Sequence, residues 1–127
     1  MTINKNAILF QRNGEGNLIS REVELDALEG KPTVKIIPLT RGKLNDIYSK
    51  AKGGTIEEQT EADTEILRIG LVEPKLTDDE ISDLMPQFAS AITTAILAAS
   101  LGLTQKQITD QATQQVLTEA DEFLKKN

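Results

Sequence analysis

The chain has 127 residues, of which 39% are hydrophobic, 27% charged and only 3% aromatic, and it carries a formal net charge of −6 with neither cysteine nor histidine. That length suits one domain with a modest core of Ile, Leu, Val and Ala. The two missing residue types exclude disulfides and thiolate chemistry and remove the commonest metal ligand and general base, a composition that fits a cytosolic protein.

Charge is unevenly placed. Residues 1–54 hold nine Lys/Arg against six Asp/Glu, a net +3, whereas residues 55–127 hold five against fourteen, a net −9. The acidic half argues against nucleic-acid binding by the later elements. The two halves are either solvated faces or surfaces that attract, within one molecule or between neighbours.

Residues 1–16 read as a flexible arm, disordered or docked on a partner. Ile3, Ile8, Leu9 and Phe10 are its sizeable anchors, and Asn13 to Gly16 form a turn or joint. Its apolar stretch, Ala7 to Phe10, is far shorter than a signal-peptide core. Residues 17–127 read as a single α+β domain. Two β-rich runs, about 19–26 and 33–38, flank Gly30-Lys31-Pro32 and predict a β-hairpin. Pro38 ends the second strand or lies on an edge. Thr40 caps a short helix to about Ala51, with Leu44, Ile47, Tyr48 and Ala51 on one face. After the break at Gly53-Gly54, Ile56 to Ile69 reads as a polar helix with Gly70 as its C-terminal cap. Val72-Glu73-Pro74 interrupts the pattern.

Thr77-Asp78-Asp79-Glu80 is a capping box with acids at the positive end of the helix dipole. It precedes a 22-residue uncharged run, Leu84 to Gln105. The run contains Pro86, Gln87, Ser90, Thr93, Thr94 and Ser100, too polar for a membrane span, and reads as a buried helix. Pro86 kinks that helix or begins a new one. Phe88, Ile92, Ile96 and Ala99 then share one face, beside Ala91, Ala95 and Ala98. Gly102 ends it, and Thr104 with Gln107 forms a second capping box. The last helix, about 105–125, carries Ile108, Ala112, Val116, Ala120 and Phe123/Leu124 at helical spacing. The expected architecture is therefore α+β, with an N-terminal β-hairpin followed by a bundle of four or five helices.

No residue pattern carries catalysis, a metal or a cofactor. Asp78, Asp79, Glu80 and Asp83 open a helix and lack the interleaved glycine of a calcium loop. Gly14-x-Gly16 and Gly53-Gly54 are not phosphate loops. With no histidine, cysteine or G-x-S-x-G turn, no serine has an activator. Thr40-Arg41-Gly42-Lys43 is the one compact basic motif, solvated or in touch with an acidic partner.

Two blocks carry a resemblance. TVKIIPLTRGKLNDIYSKA (Thr33–Ala51) resembles the strand, I-x-P-L-T-R-G-E-L and helix block of tail assembly chaperones of long-tailed (siphovirus-type) bacteriophages and prophages. LRIGLVEPKLTDDEISDLMPQFASAITTAILAASLGL (Leu67–Leu103) resembles the block that follows, with V-x-P-x-L-T, an acidic capping box and an Ala/Ile helix. Together they cover roughly half the chain. Lys43 stands where an acidic residue is common, and the arm 1–16 has no counterpart.

The resemblance implies a non-enzymatic chaperone that coats the long, apolar, helical tape measure protein in the host cytoplasm. It would act as a multimer, leave as tail-tube protein polymerises and be absent from the mature virion. Such a role needs an apolar groove between helices. Phe88, Ile92, Ile96, Ile108 and Val116 are the candidate partner-binding residues, each open to the alternative of serving as core. A structural virion subunit (tail or head–tail connector) and a small DNA-binding regulator are the other readings.

Such chaperones are often also made as a longer frameshifted product. Lys125-Lys126-Asn127 can be encoded as A-AAA-AAC, a slippery heptamer, and is equally an ordinary basic helix end. Sequencing the coding DNA there and downstream checks this. The resemblance predicts the heptamer, an overlapping frame and then a very long helical reading frame; an ordinary stop with no such gene would count against it.

Overall fold

In the computed structural model, which describes residues 2–110, the chain is mixed α and β. The arm is less featureless than its sequence suggests. It holds one helical turn, α1 (Lys5–Ile8), started by the Asn4 side chain accepting from the Asn6 N–H at 3.0 Å. The Asn13 carboxamide accepts from the N–H groups of Glu15 and Asn17, folding the chain so that Arg12 bridges Leu18. A four-residue helix without an apolar repeat leaves no periodic signal, and α1 buries no residue.

The hairpin forms with shorter strands than expected. β1 (Arg21–Glu24) and β2 (Thr33–Ile36) pair antiparallel with Val23 opposite Val34. Pro38 lies beyond β2, consistent with its missing donor.

A third strand, absent from the sequence reading, completes the sheet. Two further elements come first in chain order. Helix α2 (Arg41–Lys50) is capped by Thr40, whose hydroxyl accepts from the Lys43 N–H at 3.2 Å. Ile47 is its buried contact, Leu44 and Ala51 are half-buried, and Tyr48 is turned partly to solvent. Helix α3 (Ile56–Gly70) is capped by Thr55, which accepts from Glu58 N–H, with Glu57 and Glu58 at the positive end of the dipole. Cap and dipole support its polar first half, while Ala62, Ile66 and Leu67 anchor the second. α3 then runs directly into β3 (Leu71–Glu73), which pairs antiparallel with β2, giving the order β1-β2-β3. Three residues before a proline are too few to show alternation.

Gly70 is not the left-handed cap that its position suggested. It is the last helical residue of α3, it is buried, and its carbonyl accepts from the Ile37 N–H at 2.9 Å. It lacks a side chain because a Cβ there would stand 2.7 Å from both Cγ2 and Cδ1 of Ile96.

Helix α4 (Asp78–Ser82) opens on the expected capping box, with both reciprocal hydrogen bonds formed between Thr77 and Glu80. Asp78 also accepts from Arg68 Nε at 2.9 Å, tying α4 to α3. Pro86 begins a new helix, α5 (Pro86–Leu101), at its first turn. Gly102 ends α5 in the left-handed region at φ 70°, and the N–H groups of Gly102 and Leu103 both reach the Ala98 carbonyl. The Thr104–Gln107 box is formed too, and residues 105–110 (α6) are helical. The rest of the expected last helix, with Val116, lies outside the described residues.

α3 is the hub of the helices, touching α2, α4 and α5. Ile36, Leu39, Ile47, Ile66 and Ile96 fill the space between sheet and helices with essentially no exposure. A second tie joins the layers. The Ser100 hydroxyl accepts from the Leu39 N–H at 2.7 Å and donates to the Ile96 carbonyl at 2.7 Å, satisfying a backbone donor where the chain leaves the sheet.

Two substitutions test this packing by urea denaturation. Ile96→Asp places a carboxylate in a site with no polar partner and is expected to abolish stable folding. Gly70→Ala gains about 1 kcal/mol of helix propensity but overpacks Ile96, at a cost of about 1–3 kcal/mol. It is expected to destabilise the wild-type chain and to stabilise an Ile96→Ala background. The same sign in both backgrounds would remove the close approach as the reason for the glycine.

Candidate docking groove

α5 has two working faces. Ala91, Ile92, Ala95, Ile96 and Ala98 turn toward the core and are buried. Roughly a third of a turn away, Gln87, Ser90 and Thr94 follow the three- and four-residue spacing of a helix and share Ala91 with the first face. This second face is lined with small side chains. It forms one wall of a groove of about 500 Å³.

The opposite wall is the start of α6, through Gln105, Lys106, Thr109 and Asp110. The loop between β1 and β2 closes one end with Asp26, Ala27 and Leu28. The lining exposes more carbon than polar surface although most of its side chains are polar, and the small residues Ser90, Ala91 and Thr94 leave room for a helix to approach α5 closely.

One side chain ties the α6 wall to the loop that closes the end. The Gln105 amide donates from Nε2 to the Glu24 carbonyl at 2.8 Å, and its Oε1 lies 3.4 Å from the Asp26 N–H. A single amide thus spans both edges of a backbone turn 79 to 81 positions away. No local pattern signals this contact.

The candidate partner-binding residues fall on both sides of this geometry. Ile92 and Ile96 are only 4% and 0% exposed, so they belong to the core and offer no surface in this conformation. The correction has a simple cause, since an amphipathic helix packed on a hydrophobic core turns its β-branched stripe inward. Phe88 and Ile108 are half-buried, and neither lines the groove. Val116 lies outside the described residues. A groove does lie between α5 and the start of α6, but Ser90, Ala91, Thr94, Lys106 and Thr109 line it rather than the candidate residues, and the rest of the expected second helix lies outside the described residues.

The other motifs hold structural positions. Asp78 and Glu80 are engaged by Arg68 and Thr77, and among the described residues no cluster of three or more potential metal-binding side chains occurs. Burial raises the Asp63 carboxyl above the usual carboxylate range. Burial, and then the charge of Asp63, raises the Tyr48 phenol. The two groups sit on α3 and α2, and neither lines the groove. Among the described residues no helix is long and apolar enough to cross a membrane. No protein-family model, no curated protein and no solved structure matches the chain.

Replacing the clamp tests the geometry. Gln105→Ala removes a hydrogen bond to the Glu24 carbonyl and is expected to cost about 1 kcal/mol. It should also speed hydrogen exchange at Asp26 and in the first turn of α6, read by NMR. Unchanged protection there would show that α6 and the loop are held together by something else.

Proposed function

We propose that the chain is a tail assembly chaperone of a long-tailed phage or prophage, which binds and shields the tape measure protein during tail assembly. The reading rests first on the two blocks, Thr33–Ala51 and Leu67–Leu103, that resemble this family. The structural observation that supports it best is the groove between α5 and α6, walled on the α5 side by Ser90, Ala91 and Thr94. Helix-in-groove recognition needs a preformed, mainly apolar trough whose wall lets a second helix come close. Burial of the partner's apolar stripe then removes the surface through which it would aggregate.

In this reading nothing is catalysed. The partner is a long amphipathic helix, self-association along it multiplies the effective affinity of a shallow groove, and tail-tube protein displaces the chaperone. The chaperone works in the host cytoplasm and is left out of the finished particle. A virion subunit, the first alternative, is instead retained in purified particles. A DNA-binding regulator fits less well, since Asp26 and Asp110 stand in the groove beside its lone Lys106.

Co-expression with a tape measure protein provides the test. The wild-type chain is expected to raise the soluble yield of that protein. Ser90→Trp with Thr109→Trp fills the groove from two exposed positions and is expected to return the yield to its level without the chaperone, while circular dichroism stays that of a folded protein. A wild-type chain without effect, or filled variants as active as wild type, would defeat the proposal.

A further inference from the structure

A second cleft, lined by none of the residues of the groove, has a different chemistry. It is about 1000 Å³ in volume and lies between the arm and the start of α2. One wall is apolar. Ile8, Leu9 and Phe10 stand there with 68%, 58% and 37% of their surface exposed, three large hydrophobic side chains in succession. Isolated exposed hydrophobics need no explanation, but three together along one cleft mark an interaction surface.

The rest of the lining is neutral or basic. Arg12 and Arg41 flank the apolar wall, and no carboxylate lines the cleft. In a chain with a net charge of −6, that is a local reversal of sign. Arg12 is oriented by its own loop, donating from Nη1 to the Gly16 carbonyl at 2.8 Å. Among the described residues neither arginine forms an ion pair. The first turn of α2 carries no acidic side chain, so its dipole adds to the positive potential rather than being neutralised.

The geometry points to a docking site for an acidic amphipathic segment of a partner protein, one that sets carboxylates beside large apolar side chains. The apolar side chains lie against Ile8, Leu9 and Phe10, and the carboxylates pair with Arg12 and Arg41. Guanidinium groups suit this task because they bind carboxylates bidentately and lose less on desolvation than ammonium groups. The apolar wall favours a peptide over nucleic acid, whose phosphates would meet only two arginines and whose bases would find one aromatic ring. The site is separate from the α5–α6 groove, and its test does not depend on the role proposed for that groove.

The probe is a short fluorescein-labelled peptide in which glutamates flank leucine and phenylalanine, titrated with the full chain and followed by fluorescence anisotropy. Binding is expected, weakening with added salt. The Arg12→Glu/Arg41→Glu double variant and, separately, Phe10→Ser are each expected to weaken it on the order of tenfold. All three positions lie at the surface and outside the core, so circular dichroism of each variant should stay that of a folded protein, with only a small drop in melting temperature. Lys52→Glu/Lys75→Glu, with the same change in net charge at other sites, should bind like wild type. Lack of binding by the wild-type chain would overturn the proposal, as would equal loss in the control variant. A labelled DNA duplex that binds as tightly, with the same dependence on Arg12 and Arg41, would make the cleft a phosphate site instead.

Discussion

The contact between Gly70 and Ile96 governs how the helices and the sheet meet. With hydrogen in place of a side chain, the end of α3 comes within van der Waals reach of the α5 stripe. The same residue passes its carbonyl to Ile37, so the chain leaves the helix and enters the sheet without an intervening loop. One position therefore sets the helix crossing and the placement of β3 together. Such a point cannot relax gradually, because close-packed interiors accommodate extra volume only by shifting backbone or rotamers.

The groove inherits its shape from that contact. Once Ile96 is seated over Gly70, the rotation of α5 about its own axis is fixed, and the faces follow from helical periodicity. Ile92 falls inward, while Ser90 and Thr94 fall on the side that meets α6. Gly102 reverses the chain, the Thr104–Gln107 box starts α6, and Gln105 holds it against the end of the β1–β2 hairpin. The small residues of the Ala/Ile helix thus serve two surfaces, alanines packing inward and Ser90 with Thr94 lining the trough.

Much of what is encoded within a few residues was legible in the sequence, although the Asn4 and Thr55 caps were not. Thr40, the Thr77–Glu80 box, the Thr104–Gln107 box, Pro86 as a helix start and Gly102 as a stop are local chemistry, and the backbone follows them. The mixed α and β character and the hairpin around Gly30-Lys31-Pro32 were legible too. Contacts across long stretches of chain were not. β3 needs β2 as its template, Gly70 needs Ile96 to reveal its role, and Gln105 finds its partners some eighty positions away. The site suffered most from this. A stripe of Ile and Phe at helical spacing shows that a helix has an apolar side but not whether core or ligand lies against it. Here the core took the isoleucines, and the groove took the serine, alanine and threonines beside them.

Among the described residues no further strand pairs with either edge of the three-stranded sheet, and both edges are poor templates for strand addition. β1 presents four residues, Arg21, Glu22, Val23 and Glu24, three of them charged. β3 is three residues long and is followed at once by Pro74, which has no N–H to offer. Short, charged or proline-ended edges discourage pairing with foreign strands. Such edges limit capture of a foreign extended backbone into a growing sheet. Side-chain contacts, unlike an added strand, can be released without unzipping a hydrogen-bonded ladder.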